Sequence, residues 1–173
     1  NTEFKAGDPR CGTPSLPTCS PDYYAANVFR SSDHDPVLLG LSLLKSIDGT
    51  AARETIMGTP GDDRITGGGG ADTITGGTGA DQFVYLGLRD ALDTITDFAP
   101  GTDRLDLTAL LSGIAAQPAT AISLGVVRLV DTTAGLSVQI DTDGSAGPAV
   151  ARPLVVLRGV TAAQIQPSRD LGL

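Results

Sequence analysis

The chain has 173 residues, a formal net charge of −8, 22 glycines and an aromatic content of only 4%. Eighteen of its 20 acidic residues are Asp and two are Glu. This bias disfavours a helical bundle or a coiled coil, because Glu suits helix interiors whereas Asp suits caps, turns and calcium loops. No apolar run reaches the roughly 18 residues of a membrane span. The negative charge also disfavours nucleic-acid binding by this chain itself, since phosphate contacts require clustered Lys and Arg.

Residues 1–36 are polar, rich in Pro and low in periodicity, and they contain the two cysteines, Cys11 and Cys19. This pair lacks the additional Cys or His ligands of a metal site. A small disulfide-closed loop is therefore expected, and with it an oxidising compartment; two unrelated free thiols are the alternative. The chain begins at Asn1 without a signal peptide, which indicates a fragment or a processed product. The continuous apolar run Val37–Leu44 predicts a strand buried on both faces.

The one histidine, His34, lies just before this strand in the sequence Ser-Asp-His-Asp-Pro. The string resembles the terminal Ser-Asp-His-x-Pro motif of the endonuclease/exonuclease/phosphatase family, which has the DNase I-like fold. The resemblance implies that residues 1–47 are the C-terminal remnant of a nuclease domain. It also implies catalytic roles for His34, as base or phosphate ligand, and for Asp33, beside Mg²⁺ or a similar divalent metal. The family's other catalytic residues lie upstream of this segment, so the chain alone is expected to be inactive.

Residues 48–57 are predicted to be a polar linker, and a repeat follows between residues 58 and 84. Three successive nonapeptides fit the pattern G-G-x-G-x-D-x-U-x, in which U is a large apolar residue. Thr59 is the one departure at a defined position. A flexible Gly-rich linker is the alternative interpretation. A linker, however, has no reason to keep a large apolar residue in phase with Asp over three periods.

This pattern resembles the calcium-binding nonapeptide repeats of secreted bacterial RTX proteins, whose fold is a parallel β-roll. Calcium takes about six to eight oxygen ligands. Glycines suit such a site, because they allow backbone carbonyls to turn toward an ion. The predicted calcium ligands are the Asp of each unit and the glycines of its turn: Asp63, Asp72, Asp81, Gly58, Gly61, Gly67, Gly68, Gly70, Gly76, Gly77 and Gly79.

The same register predicts the interior of the roll. One apolar residue recurs in each unit and is expected to stack in an internal ladder, formed by Ile65, Ile74 and Phe83. In the resembled fold, successive turns lie on opposite edges of the roll. Asp63 and Asp81 would therefore face one row of ions, with Asp72 opposite.

Residues 85–173 contain short β-type runs separated by Gly, Asp and Pro turns. Strands are predicted over 121–130, 136–140 and 154–160, and one short helix over 107–116. The segments around Asp93–Phe98 and Leu154–Val160 resemble the C-terminal target domain of type I secretion. The resemblance implies a β-rich secretion domain over 85–173, with the type I secretion machinery as its partner.

Four aspartates of this region have open roles. Asp93 or Asp97 could complete a second ion site opposite Asp72, or could cap turns through ordinary side-chain to backbone hydrogen bonds. For Asp141 and Asp143 a plain turn is favoured.

The sequence thus predicts a mainly β chain: a parallel RTX β-roll with a C-terminal β-rich secretion domain, preceded by a remnant of a DNase I-like α/β sandwich. The predicted function is that of the calcium-binding C-terminal region of a secreted, extracellular nuclease, whose repeats fold on calcium after type I export. Nucleic acid would be a partner only through the parent nuclease domain. A calcium-dependent adhesive or structural RTX module without enzymatic activity is the alternative. An RTX metalloprotease is disfavoured, because no H-E-x-x-H sequence is present.

Overall fold

The structure, a computed structural model, describes residues 44–173. This part of the chain forms ten short strands and two short helices. The strands are β1 (Lys45–Asp48), β2 (Thr55–Met57), β3 (Asp63–Thr66), β4 (Thr73–Thr75), β5 (Gln82–Val84), β6 (Asp93–Ile95), β7 (Arg104–Asp106), β8 (Val127–Thr132), β9 (Gly135–Ile140) and β10 (Arg152–Arg158). The helices are α1 (Thr108–Gly113) and α2 (Pro167–Asp170), with two 3₁₀ turns at Pro118–Thr120 and Ala162–Gln164.

Strands β1 to β7 wind into a parallel roll of about three turns. The odd-numbered strands form one sheet in the order β1-β3-β5-β7, and the even-numbered strands β2-β4-β6 belong to the other. The chain changes sheet at every Gly-rich turn, so neighbours within a sheet are two units apart in sequence. This architecture confirms the mainly β, parallel β-roll fold that the repeat predicts.

The predicted apolar ladder fills the interior of the roll. Ile65 pairs with Phe83 in one sheet and Ile74 pairs with Ile95 in the other. Ile65, Ile74 and Phe83 are each 1% exposed. Each three- or four-residue strand turns one large side chain inward, and burial of such a side chain is worth about 1.5–3 kcal/mol. The interior is therefore narrow, with one apolar residue for each strand crossing.

The roll begins before the three nonapeptides. β1 pairs in parallel with β3, and β2 pairs in parallel with β4. The segment 48–57, predicted to be a linker, therefore contains part of the first turn. Gly49, Glu54 and Ile56 occupy the places of the first glycine, the acid and the apolar residue of a repeat that has lost its other glycines.

The last turn of the roll is longer than the others. Arg64 pairs with Gln82, 18 residues later, whereas Gln82 pairs with Arg104, 22 residues later. The additional residues lie in the turns that follow β5 and β6. The nonapeptide spacing therefore ends at residue 84, although parallel pairing continues to β7.

The C-terminal region extends one sheet of the roll. β10 pairs in parallel with β6 and antiparallel with β9, which in turn pairs antiparallel with β8. The predicted helix and the two later strands are confirmed. The strand predicted over 121–130 is wrong in its first half, because the chain continues from the 3₁₀ turn into further turns and β8 begins only at Val127.

Several predictions fall outside the described residues: His34, Asp33, Cys11, Cys19 and all but the last residue of the predicted strand Val37–Leu44. Over residues 44–173, none of the helices has the length and apolar character needed to cross a membrane.

Candidate metal site

The turns of the roll lie on two edges, and each edge carries a row of acidic residues. The turns that lead from the first sheet to the second end at Glu54, at Asp72 and directly before Asp93, the first residue of β6, and we name this the Asp72 edge. The turns that lead back end directly before Asp63, the first residue of β3, and at Asp81 and Asp103, and we name this the Asp81 edge. The predicted division of the aspartates between two opposite rows is therefore confirmed.

A ladder of hydrogen bonds runs along the Asp72 edge. Asp72 Oδ1 accepts the backbone N–H of Glu54 at 2.7 Å, and Asp93 Oδ1 accepts that of Asp72 at 2.9 Å. Each acid thus binds the backbone of the acid one turn earlier. This arrangement places one oxygen of each carboxylate at a fixed position.

The Asp81 edge repeats the arrangement. Asp81 Oδ1 accepts the backbone N–H of Asp63 at 3.0 Å, and Asp103 Oδ1 accepts that of Asp81 at 3.1 Å. The same ladder on both edges shows that the acidic position of the repeat links successive turns. The regular spacing of the acids therefore stabilises the fold, in addition to any role in binding an ion.

The second carboxylate oxygen is unsatisfied at one place on each edge. Among residues 44–173, Asp72 Oδ2 and Asp81 Oδ2 are buried without a hydrogen-bond partner, as is Asp141 Oδ1, whose carboxylate pairs with Arg128 through its other oxygen. Each of these residues is 1% exposed. A buried, unpartnered carboxylate oxygen is costly, because it has lost its water and gained nothing in return. One bound cation on each edge would satisfy Asp72 Oδ2 and Asp81 Oδ2.

Glycines allow oxygen atoms to approach the backbone closely beside these carboxylates. A Cβ at Gly67 would lie 3.0 Å from Asp72 Oδ2 and 3.2 Å from Asp93 Oδ2. A Cβ at Gly76 would overlap Asp81 Oδ2, and a Cβ at Gly58 would overlap the carbonyl oxygen of Gly76. Only glycine therefore allows carboxylate and carbonyl oxygens to converge here.

The electrostatics of both edges favour a cation. Burial, followed by the neighbouring carboxylates Asp103, Asp63 and Asp97, raises the pKa of Asp81 to about 6, against the lowering effect of its backbone hydrogen bond. On the other edge, burial, together with the charges of Asp72 and Asp90, raises the pKa of Asp93 to about 6 despite two hydrogen bonds to its carboxylate. Within residues 44–173 these carboxylates have no Lys or Arg as an ion-pair partner, and calcium would supply the positive charge.

Three other carboxylates have their outer oxygens occupied. The Tyr85 hydroxyl donates to Asp93 Oδ2 at 2.9 Å. The backbone N–H of Ala99 donates to Asp103 Oδ2 at 2.8 Å. The Thr59 hydroxyl donates to the carboxylate of Asp63, 2.9 Å from Oδ1. The one departure from the repeat pattern thus introduces a side chain that binds the acid of its own unit.

The two interpretations of Asp97 and Asp93 can be compared directly. Asp97 accepts the backbone N–H groups of Gly76 and Gly77, each at 2.9 Å, which is the geometry of a turn cap. Asp93 lies on the Asp72 edge, and its Oδ2 would lie 3.2 Å from a Cβ added at Gly67. The structure therefore brings Asp93, rather than Asp97, next to Asp72.

The remaining predicted glycines shape the turns. Four of them have positive φ, between 82° and 127°, which glycine adopts without strain: Gly68, Gly70, Gly77 and Gly79. Gly61 has no atom within 4 Å of a hypothetical Cβ, so its side is open.

Sequence reasoning missed two acids of these rows. Glu54 belongs to the degenerate first unit, and Asp103 belongs to the long last turn. The signal for both was available, because each acid stands two residues before a large apolar residue, Ile56 and Leu105. Glu54 keeps the nine-residue spacing, but its unit has no glycine after Gly49, whereas Asp103 breaks the spacing because it lies 22 residues after Asp81.

The predicted turn at Asp141 and Asp143 is present, but Asp141 has an additional role. Its Oδ2 forms an ion pair with Arg128 at 2.6 Å, and the residue is 1% exposed. Asp143 Oδ2 accepts the backbone N–H of Ala149 at 3.1 Å. Asp141 therefore ties the turn after β9 to β8.

The donor set at the edges fits calcium, since it combines buried carboxylate oxygens with glycine carbonyls, both hard oxygen ligands. In the range 44–173, no group of three or more His, Cys, Asp or Glu side chains is arranged to hold a metal. Backbone oxygens would therefore be needed alongside the carboxylates.

Comparisons with known proteins identify the repeat segment. No protein with curated annotation matches the chain. One similar solved structure is the solution structure of the AlgE6R3 subunit from the Azotobacter vinelandii mannuronan C5-epimerase, at 24% identity and a TM-score of 0.43, over 80% of this chain and 86% of that one. The family model "RTX calcium-binding nonapeptide repeat (4 copies)" matches residues 48–83, which include the degenerate first unit. Residues 48–83 therefore form a calcium-binding RTX repeat module.

Proposed function

We propose that the roll binds calcium on both edges and folds in response to it. The observation that carries this proposal is the pair of buried carboxylate oxygens without a partner, Asp72 Oδ2 and Asp81 Oδ2. The proposed ligands are these aspartates with Asp63 and Asp93, and carbonyl oxygens of the turn glycines Gly58, Gly61, Gly67, Gly68, Gly70, Gly76, Gly77 and Gly79. Asp97 has the supporting role of a turn cap. Bound calcium supplies the positive charge that these buried acids lack.

Folding is coupled to calcium because only the folded chain assembles the site. Without calcium, folding would bury five aspartates of the two rows without a counter-ion and would also remove the large conformational entropy of the Gly-rich turns. An ion that binds only the folded state stabilises it by mass action. At the roughly millimolar calcium level that extracellular RTX-like modules require, the equilibrium would shift to the folded roll.

This coupling suits a protein that is exported unfolded. In the cytosol, at low calcium, the segment would stay unfolded and able to pass through the export channel, and it would fold outside the cell. We propose an extracellular location and passage through the type I secretion machinery, with residues 85–173 as the secretion domain. The support is the sequence resemblance of this region together with the calcium-dependent character of the repeats.

We also propose that the repeats are attached to a nuclease. The support is the Ser-Asp-His-Asp-Pro motif in residues 32–36, in which His34 would act as base or phosphate ligand and Asp33 would help hold Mg²⁺ or a similar metal. Nucleic acid would be the substrate of that parent domain. The test is a nuclease assay on the full-length parent with its His34→Ala variant: loss of phosphodiester cleavage in the variant is expected, and an unchanged rate contradicts the proposal.

Circular dichroism during a calcium titration tests the folding switch. We expect the β-sheet signal to rise with calcium and to fall when a chelator is added, because the calcium-free roll is less stable. Asp81→Ala should weaken this response far more than Asp131→Ala, because Asp131 is exposed on β8, away from both edges. A β signal that is already complete in chelator, and unchanged by calcium, contradicts the switch.

A further inference from the structure

Tyr85 occupies a place in the roll that glycine occupies in the two turns before it. β1, β3 and β5 pair in register, so the residues directly after them, Gly49, Gly67 and Tyr85, stack on the Asp72 edge. The first two have no side chain. Tyr85 places a phenol there, and it is only 2% exposed.

The phenol contacts the acid of its own turn. The Tyr85 hydroxyl donates to Asp93 Oδ2 at 2.9 Å, while Asp93 Oδ1 accepts the backbone N–H of Asp72 at 2.9 Å. Both oxygens of Asp93 are therefore held in position. By contrast, the outer oxygen of Asp72 has no hydrogen-bond partner in the described part of the chain.

These two outer oxygens flank one small space. A Cβ added to Gly67 would lie 3.0 Å from Asp72 Oδ2 and 3.2 Å from Asp93 Oδ2. Two buried carboxylate oxygens would repel each other unless a cation lies between them. Both oxygens therefore lie close to the place of the missing Cβ of Gly67, where a side chain would crowd them.

We propose that Tyr85 is a positioning residue for calcium: its hydroxyl holds Asp93 Oδ2 facing Asp72 Oδ2, so that the two acids bind one ion beside Gly67. This inference rests on the proposed calcium binding and assigns a role to a residue outside the repeat pattern. Groups that hydrogen-bond to metal ligands commonly set their orientation, and removal of one costs about 10- to 100-fold in affinity. The phenol also fills the place of the next glycine, which ends the row on this edge.

Tyr85→Phe removes the hydroxyl and keeps the buried ring. Calorimetric calcium titration should show a loss of affinity of about tenfold or more for one site, with the other site unchanged. The matched control is the double variant Tyr23→Phe/Tyr24→Phe, which removes the other two tyrosine hydroxyls of the chain. The control should bind calcium like the wild type. A change in packing alone would lower thermal stability in chelator and in calcium alike, without this change in affinity.

Terbium provides a second readout that does not depend on the folding of Tyr85→Phe. Tyrosine sensitises the emission of Tb³⁺ bound close to it, and the chain has no Trp. The Tyr23→Phe/Tyr24→Phe protein, which retains Tyr85, should show sensitised emission that calcium competes away. Tyr85→Phe should lose most of this emission.

The outcomes separate this inference from the proposed function. If the wild type binds calcium but Tyr85→Phe binds it equally well, or if the double variant shows no sensitised emission, the role of Tyr85 is refuted and calcium binding stands. If the wild type binds no calcium at all, both proposals are refuted.

Discussion

Buried carboxylates are neutralised in different ways in the two regions of this protein. In the C-terminal region, Asp141 pairs with Arg128 at 2.6 Å and Asp170 pairs with Arg169 at 2.6 Å. In the roll, five aspartates are buried: Asp63, Asp72, Asp81, Asp93 and Asp103. Within residues 44–173, no Lys or Arg forms an ion pair with any of these five. One region therefore carries its own counter-charges, whereas the other relies on a charge from outside.

The pKa values shift in opposite directions accordingly. Burial raises the pKa of Asp170, but hydrogen bonds from Arg169 and from the backbone N–H groups of Gln166 and Gly101 outweigh it and hold the pKa below its usual value. The pKa values of Asp81 and Asp93 rise to about 6. The difference shows that burial alone does not decide the state of an acid. The groups that contact the acid decide its protonation state, and in the roll the missing counter-charge is that of the cation.

The largest expected effect on stability comes from substituting one glycine of the roll. In Gly58→Ala the new Cβ would overlap the carbonyl oxygen of Gly76 and lie 2.8 Å from Asp63 Oδ2. Neither backbone nor buried acid can yield easily, so we expect a loss of about 3 kcal/mol or more in the free energy of unfolding. Thermal denaturation in calcium measures it.

Gly61→Ala is the matched control for this change. No atom lies within 4 Å of a Cβ at Gly61, so its effect should be within about 1 kcal/mol and in either direction. Equal stability of the two variants would show that close approach at Gly58 does not support the roll.

Two isosteric substitutions test the difference between the roll and the C-terminal region. Asp141→Asn removes the charge that faces Arg128 and should cost about 2 kcal/mol, both in chelator and in calcium. Asp81→Asn removes a carboxylate without an internal partner. It should leave stability in chelator unchanged or higher, and it should raise the calcium needed for half-maximal folding by about tenfold or more.

Urea denaturation of both variants, with and without calcium, checks these outcomes. The essential result is a calcium-dependent penalty for Asp81→Asn and a calcium-independent one for Asp141→Asn. If both variants lose the same stability under both conditions, the two regions do not differ in the way described.

Lowering the pH provides a further test, in which the expected change in stability is smaller and reversible. The raised pKa values of Asp81 and Asp93 mean that their contribution to the calcium-free fold is fully present below pH 3.8 and is lost as the pH rises to about 6. Asp170 acts in the opposite sense, because its contribution is present above pH 3.8 and lost as the pH falls through its lowered pKa. Calcium-free protein should therefore be more stable near about pH 4.5 than near about pH 7.

Chelated samples unfolded by urea at the two pH values measure this effect. Saturating calcium should abolish the gain in acid, because the ion requires ionised carboxylates. Calcium-free protein that becomes less stable on acidification would contradict the assignment of the roll as the region short of positive charge.

Much of the roll could be predicted from the sequence. The phase of Asp63, Asp72 and Asp81 with the apolar residues fixed both the inward ladder and the division of acids between two edges. Each repeat makes the same local choice of Gly-rich turn and short strand, so a pattern read in one unit transfers to the next.

The ends of the roll could not be predicted in the same way. In the first turn Glu54 replaces Asp, and its unit lacks most glycines, so the segment resembles a linker although β2 pairs there with β4. In the last turn Tyr85 replaces the first glycine. Its hydroxyl contacts Asp93, which lies eight residues later, and the irregular chain between them gives no local signal of this contact. The ion pair between Arg128 and Asp141 depends on the β8–β9 register, which local sequence does not specify.

Hydrogen exchange measured region by region, in chelator and in calcium, tests the central claim most directly. We predict that calcium greatly slows exchange of backbone amides in the roll, over residues 58–106, and has a much smaller effect on β8 and β9, because the buried acid that follows β9, Asp141, pairs with Arg128 of β8. Equal protection of both regions by calcium, or no protection of either, would contradict the claim that the roll alone depends on an external cation.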